Sequence, residues 1–132
     1  MIKWVRPDVG ELYEGPFRIG TVTVIDSLLL LCLDIFTELS REPSDVDQVL
    51  ELSSGHKLLY LKIPSELLTE LGVGKCSGEI VIYSNGRGTV QGISVRLLLP
   101  KSVVDVVSSE FLRKVLEFRN VVVSWLRSRY GE

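Results

Sequence analysis

The chain has one histidine, two cysteines and no methionine beyond the first residue. A general base or a metal ligand needs partners held at fixed geometry. His56 instead stands in a Ser53-Ser54-Gly55 turn and reads as an exposed turn residue. Two cysteines are too few for a disulfide framework. Cys32 and Cys76 lie far apart in apolar or small-residue contexts, so they read as buried thiols and not as zinc ligands. The longest apolar run, Leu28 to Leu33, falls far short of the ~20 residues of a membrane span. No basic amino-terminal region leads into an apolar segment, so no signal peptide is expected. The expectation is a cytoplasmic chain with no membrane partner. Asn and Gln number two each, against abundant Val, Leu, Glu and Arg, a balance that fits a thermophile.

Catalytic signatures are equally scarce. There is no nucleophile elbow. Gly72-Val73-Gly74-Lys75-Cys76-Ser77 glances at a phosphate loop, but Thr69 stands where that motif needs its first glycine, and Cys76 where it needs a hydroxyl. Gly86-Arg87-Gly88 falls between two strand-like segments and opens no helix, so it is turn chemistry and not a dinucleotide fingerprint. Asp26 reads as a strand-end turn residue. Asp34, a charge inside an apolar run, reads as an inward-pointing edge charge that blocks aggregation. No acid, base and nucleophile come together. The expectation is a non-enzymatic chain with no cofactor and no metal.

What is present is a globular balance: 132 residues, 45% hydrophobic and 24% charged, enough for one domain with a sizeable core. Net charge is −2, divided unevenly. Residues 1–60 carry ten acids and five bases, and residues 61–132 carry seven acids and ten bases. Residues 1–18, with Pro7, Gly10, Gly15 and Pro16, read as an irregular arm anchored by Trp4, Tyr13 and Phe17. Residues 19–100 read as a β body. Thr21 to Val24 alternate as a half-buried strand. Leu28 to Phe36 fits a strand buried on both faces, with a helix as the alternative. Val49 to Ile63 reads as a hairpin, and Pro64 to Gly72 as a compact helix with a glycine cap. Glu79–Tyr83 and Thr89–Leu99 flank the Asn85-Gly86 turn, with a bulge or bend at Gly92.

Residues 101–130 form the last element, a long helix capped by Ser102. An apolar or small residue recurs there in a 4-3 rhythm at Val104, Ser108, Phe111, Val115, Phe118, Val122 and Trp125, beside a second stripe of Leu112, Leu116, Val123 and Leu126. A band that wide exceeds what one small body needs from a terminal helix. Val104, Phe111, Val115, Phe118, Val122 and Trp125 are therefore expected to dock a protein partner. That partner is either a second copy, in a homo-oligomer, or another chain, in a heteromer.

Three strands, a helix, two strands and a final helix give the expected fold class. It is α+β: an antiparallel five- to six-stranded OB-like barrel or sheet, with one short internal helix and a long C-terminal helix. That order, with Val95-Arg96-Leu97-Leu98-Leu99-Pro100 leading into the helix, resembles the small subunits of replication protein A and related telomere-capping complexes. The resemblance implies a helix that joins a bundle with partner subunits. An OB face binds single-stranded nucleic acid with aromatic platforms and basic phosphate contacts. The candidates are Phe36, Tyr60 and Tyr83, with Lys62, Lys75, Arg87 and Arg96. The alternatives are a purely structural subunit or homodimer without nucleic-acid affinity, and a small enzyme.

Overall fold

The computed structural model describes residues 1–72, 76–101 and 109–131. Its strands are β1 (Ile2–Arg6), β2 (Val9–Glu14), β3 (Phe17–Ile25), β4 (Leu28–Ile35), β5 (Gln48–Glu51), β6 (Lys57–Lys62), β7 (Ser77–Ser84) and β8 (Val90–Pro100). The helices are α1 (Ser65–Leu68), continued by a 3-10 turn at Thr69–Leu71, and α2 (Ser109–Tyr130). All strand pairs are antiparallel, in the order β1-β2-β3-β4-β8-β7-β6-β5. Two four-stranded meanders thus meet at β4 and β8.

This corrects the expected five- to six-stranded barrel: the sheet has eight strands and is open, with β1 and β5 at its edges. The two strands beyond six, β1 and β2, both come from the segment read as an irregular arm. In the first eighteen residues the prolines and glycines punctuate hairpins. Pro7 lies in the β1–β2 turn, and Gly15, at φ 60°, lies with Pro16 in the β2–β3 turn. Residues 28–35 are a strand, Asp26 turns the β3–β4 hairpin at φ 53°, and the connector 36–47 carries no strand or helix.

Strand alternation sorts the residues onto two faces. Leu29, Leu31, Leu33 and Ile35 of β4 point inward, with Leu12, Val22, Ile80, Ile82, Val95, Leu97 and Leu99 from the neighbouring strands. Six strands contribute buried inward residues, so the covered span is about 24 Å at ~4.8 Å per gap, whereas a helix is ~10 Å wide. One helix covers that span only if the sheet curves around it. Leu67, Leu68 and Leu71 beside α1, and Leu39 and Val46 of the connector, complete the cover.

The inward side of α2 is Phe111, Val115, Phe118, Val122, Leu126 and Tyr130, all buried within the chain itself. The seam assigned to a partner therefore faces the protein's own sheet. Trp125 is half-buried on the flank of the seam, under the Arg129 guanidinium at 5.0 Å. The valines at 121–123 do not break the helix, because packing of Val122 in the core outweighs their weak propensity. Val104, Ser108 and the Ser102 cap lie outside the described residues.

The connector clasps the C-terminal end of α2. The Ser40 N–H and hydroxyl both donate to the Tyr130 carbonyl, at 3.1 and 3.0 Å, and Arg41 donates to the Arg129 carbonyl at 2.7 Å. These donors satisfy carbonyls that a helix end leaves without partners. Asp45 accepts from the Tyr130 hydroxyl and from Arg129, each at 2.7 Å. Further along the connector, the buried Ser84 hydroxyl donates to Glu42.

Gly86 sits at φ 82° in the β7–β8 turn, and a Cβ there would collide with the Gly55 carbonyl oxygen of the adjacent hairpin. Gly86→Val should cost about 2–4 kcal/mol in urea unfolding, from positive-φ strain and the collision together.

The Tyr130 hydroxyl, and after it Arg129, hold the Asp45 carboxyl below its ordinary range. A depressed carboxylate pKa contributes stability above the unfolded value of ~3.9, and loses it as pH falls through the folded value. Tyr130 shifts the other way, raised first by burial and then by its bond to Asp45, so its contribution persists below ~10 and is lost at higher pH. In a Trp4→Phe background, Trp125 emission should report an acid step that Asp45→Asn flattens.

Candidate binding face

The face opposite α2 is built by the second half of each strand's alternation. Its rows follow from register. One runs Glu11, Thr21, Cys32, Arg96, Glu79 and Lys62 across six strands. A second runs Asp34, Ser94, Val81, Tyr60 and Gln48. A third places Tyr83, Leu58 and Leu50 side by side, and a fourth places Thr23, Leu30 and Leu98 together. Asp34 therefore points outward, which corrects its reading as an inward charge. The outer side of β4 is half-buried to exposed and not buried as a strand covered on both faces would be.

Four sequence-derived candidates, Tyr60, Lys62, Tyr83 and Arg96, share this face. Arg96 lies over the Tyr60 ring at 5.9 Å and bonds Glu79 at 2.7 Å. The Arg96–Glu79 pair is about half exposed on both sides, so it contributes ~0–1 kcal/mol. Tyr83 stacks on His56, with centroids 5.4 Å apart and rings 11° from parallel. Ser54 Oγ lies 2.7 Å from His56 Nδ1 in the same exposed turn. The β5–β6 and β7–β8 turns meet here, and their residues Ser54, His56, Asn85, Arg87 and Gln91 line a cavity of about 420 Å³. A second cavity, of about 400 Å³, lies on the face between Leu30, Lys62, Glu79, Arg96 and Leu98.

Two candidates lie apart from these four. Phe36 follows the end of β4, exposed, under the Arg119 guanidinium of α2 at 5.2 Å. Arg119 also donates to the Asp34 carbonyl. Arg87 is at the tip of the β7–β8 hairpin, its N–H donating to Asn85 Oδ1 at 2.8 Å. The hairpin and its glycine turn match the sequence expectation. So does the bulge, since the register shifts where Tyr83 faces Gly92 and Ser84 faces Val90, leaving Gln91 unpaired. Lys75 lies outside the described residues.

Sequence reasoning missed the apolar content of this face. Ile25, Leu28, Leu50 and Leu98 are exposed, and Leu30, Leu58 and Val81 are half-buried. Their alternation with the core residues was the signal available, obscured because both faces of β4 and β8 carry leucine.

Among the described residues no group of three or more His, Cys, Asp or Glu is placed to hold a metal ion, and no helix is long and apolar enough to cross a membrane. Comparison with protein-family models, with curated proteins and with solved structures finds no match.

Cys32 sits at the centre of the face. Burial pushes its thiol up, against a hydrogen bond from Thr21 and the nearby Arg96. Burial likewise raises Cys76. Neither has the lowered pKa of a reactive thiolate. Both should react with a thiol reagent at neutral pH more slowly in the native protein than in urea, which a timed absorbance assay reads directly.

Proposed function

We propose that this chain is a non-enzymatic binding module that docks a partner protein on the outward face of its sheet. One observation carries the reading. An antiparallel sheet with one solvated face normally alternates apolar-in and polar-out. Here the outward positions of adjacent strands hold Leu28, Leu30, Leu98, Val81, Tyr60 and Leu58. This apolar surface lies in two groups, Leu28, Leu30 and Leu98 on one side and Val81, Tyr60 and Leu58 on the other, with the paired Arg96 and Glu79 between them and Asp34, Lys62 and Glu11 at the margin, a mixture that has the composition of an interface.

A second reading, single-stranded nucleic acid on the same face, is favoured by the coplacement of Tyr60, Tyr83, Lys62 and Arg96. Two features weigh against it. Stacking on Tyr60 would have to displace Arg96, and Arg96 is already paired with Glu79. Glu11, Asp34 and Glu79 also balance the bases on the face. The helix seam named from the sequence has no part in either reading, because its residues from Phe111 to Val122 are buried at home.

The test compares the wild-type chain with Leu30→Glu/Leu98→Glu as bait in native extract, and measures both by fluorescence anisotropy against labelled single-stranded DNA and RNA at low salt. A protein retained by the wild type and lost by the variant supports the proposal. Nucleic-acid binding that Tyr60→Ala weakens about tenfold or more would replace it with the second reading. A protein partner held equally by the variant would overturn it.

A further inference from the structure

We propose that the chain forms a two-fold dimer by antiparallel pairing of β5 with β5 of a second copy, Leu50 facing Leu50 across the axis. This inference is independent of what binds the outward face.

Among the described residues strand β5 pairs with β6 alone, and its other side is an edge of the sheet. The Leu52 N–H donates to the His56 carbonyl at 2.8 Å, in register with the Leu50–Leu58 and Gln48–Tyr60 pairs. Antiparallel alternation then turns the main-chain groups of Val49 and Glu51 away from β6, toward the open side. Val49 is 47% exposed and Leu50 45% exposed. Of the devices that blunt an edge, the strand has no proline and no lysine, and its one charged side chain is Glu51; its four residues make the edge short. At the other end of the sheet, β1 has such devices: its register shifts between Trp4 and Arg6, and it carries Lys3 and Arg6. One open edge and one blunted edge favour a closed pair over a filament.

Charge then selects the register. A two-fold axis normal to the sheet sets residues of the same face opposite one another. Centred on Val49, the pairing would set Asp47 against Glu51 on both sides of the axis. Centred on Leu50, it sets Val49 against Glu51, and no acid meets an acid. Like charges directly opposite destabilise a strand pair, so the Leu50-centred register is the one assigned. In it Val49 and Glu51 exchange main-chain hydrogen bonds with Glu51 and Val49 of the second copy. The outward face runs on from Leu58 and Leu50 into its counterpart.

An edge of four residues is a small contact, so the dimer is expected at roughly micromolar or weaker affinity. Sedimentation equilibrium of the full chain between roughly 1 µM and 1 mM should show monomer giving way to dimer. Leu50→Lys puts two ammonium groups across the axis and should weaken the dimer at least about tenfold, with an unchanged circular dichroism spectrum. In a Cys32→Ser/Cys76→Ser background, Leu50→Cys should form a disulfide-linked dimer on oxidation. The two Cα atoms would be about 4.5 Å apart, within bridging range. Glu51→Cys in the same background should link poorly. A monomer throughout, a dimer indifferent to Leu50→Lys, or linkage through Glu51→Cys in preference to Leu50→Cys would each overturn the proposal.

Discussion

Burial of the α2 seam in the curve of a single sheet is the contact on which the rest of the structure depends. Phe118, Val122 and Leu126 are fully buried, and among the described residues one sheet receives them. The helix has 22 residues and spans about 33 Å at ~1.5 Å per residue. The contacts at its C-terminal end hold it. The 36–47 connector leaves the middle of the sheet at β4 and returns at the far edge as β5. On the way it supplies Ser40, Arg41 and Asp45 to the helix terminus and Glu42 to Ser84. The helices and the connector all pack on the inner face, and among the described residues no helix lies over the outer one. The residues that face solvent there are fixed by the register that the core imposes, since a slip of one residue would exchange the two faces.

That constraint explains which features were legible in the sequence. The helix was legible as a seam because periodicity reports burial, but periodicity does not say against what a face is buried. Phe111 and Phe118 were assigned to a partner for that reason. The Asn85-Gly86 turn and the Gly72 cap were legible because each depends on the φ of one residue, 82° at Gly86 and 67° at Gly72. The first two strands were not. Pro7, Gly15 and Pro16 are as common in turns as in irregular arms, and only pairing with β3 decides between them. Tyr60 and Tyr83 could be set on one face by alternation once the β6–β7 pairing is given. The ion pair of Arg96 with Glu79, seventeen residues away, depends on a long-range register that no local pattern encodes. Phe36 fell off the face because β4 ends one residue before it.

The composition of the outer face follows from the same architecture and narrows what it can bind. Strands β4 and β8 are central, and leucine stands on both their faces: Leu31 and Leu97 inward, Leu30 and Leu98 outward. A sheet that needed only solubility on that side would place polar residues there. The charges present are arranged as cross-strand neighbours of opposite sign, Arg96 beside Glu79, and so generate little net field. A polyanion gains affinity chiefly from uncompensated cations that release counterions. A protein surface gains it from desolvated apolar contact with satisfied polar groups at the margin. On the reading proposed above the face works as the second kind of surface, with the Arg96–Glu79 pair lying between its two apolar groups and Arg96 over the Tyr60 ring.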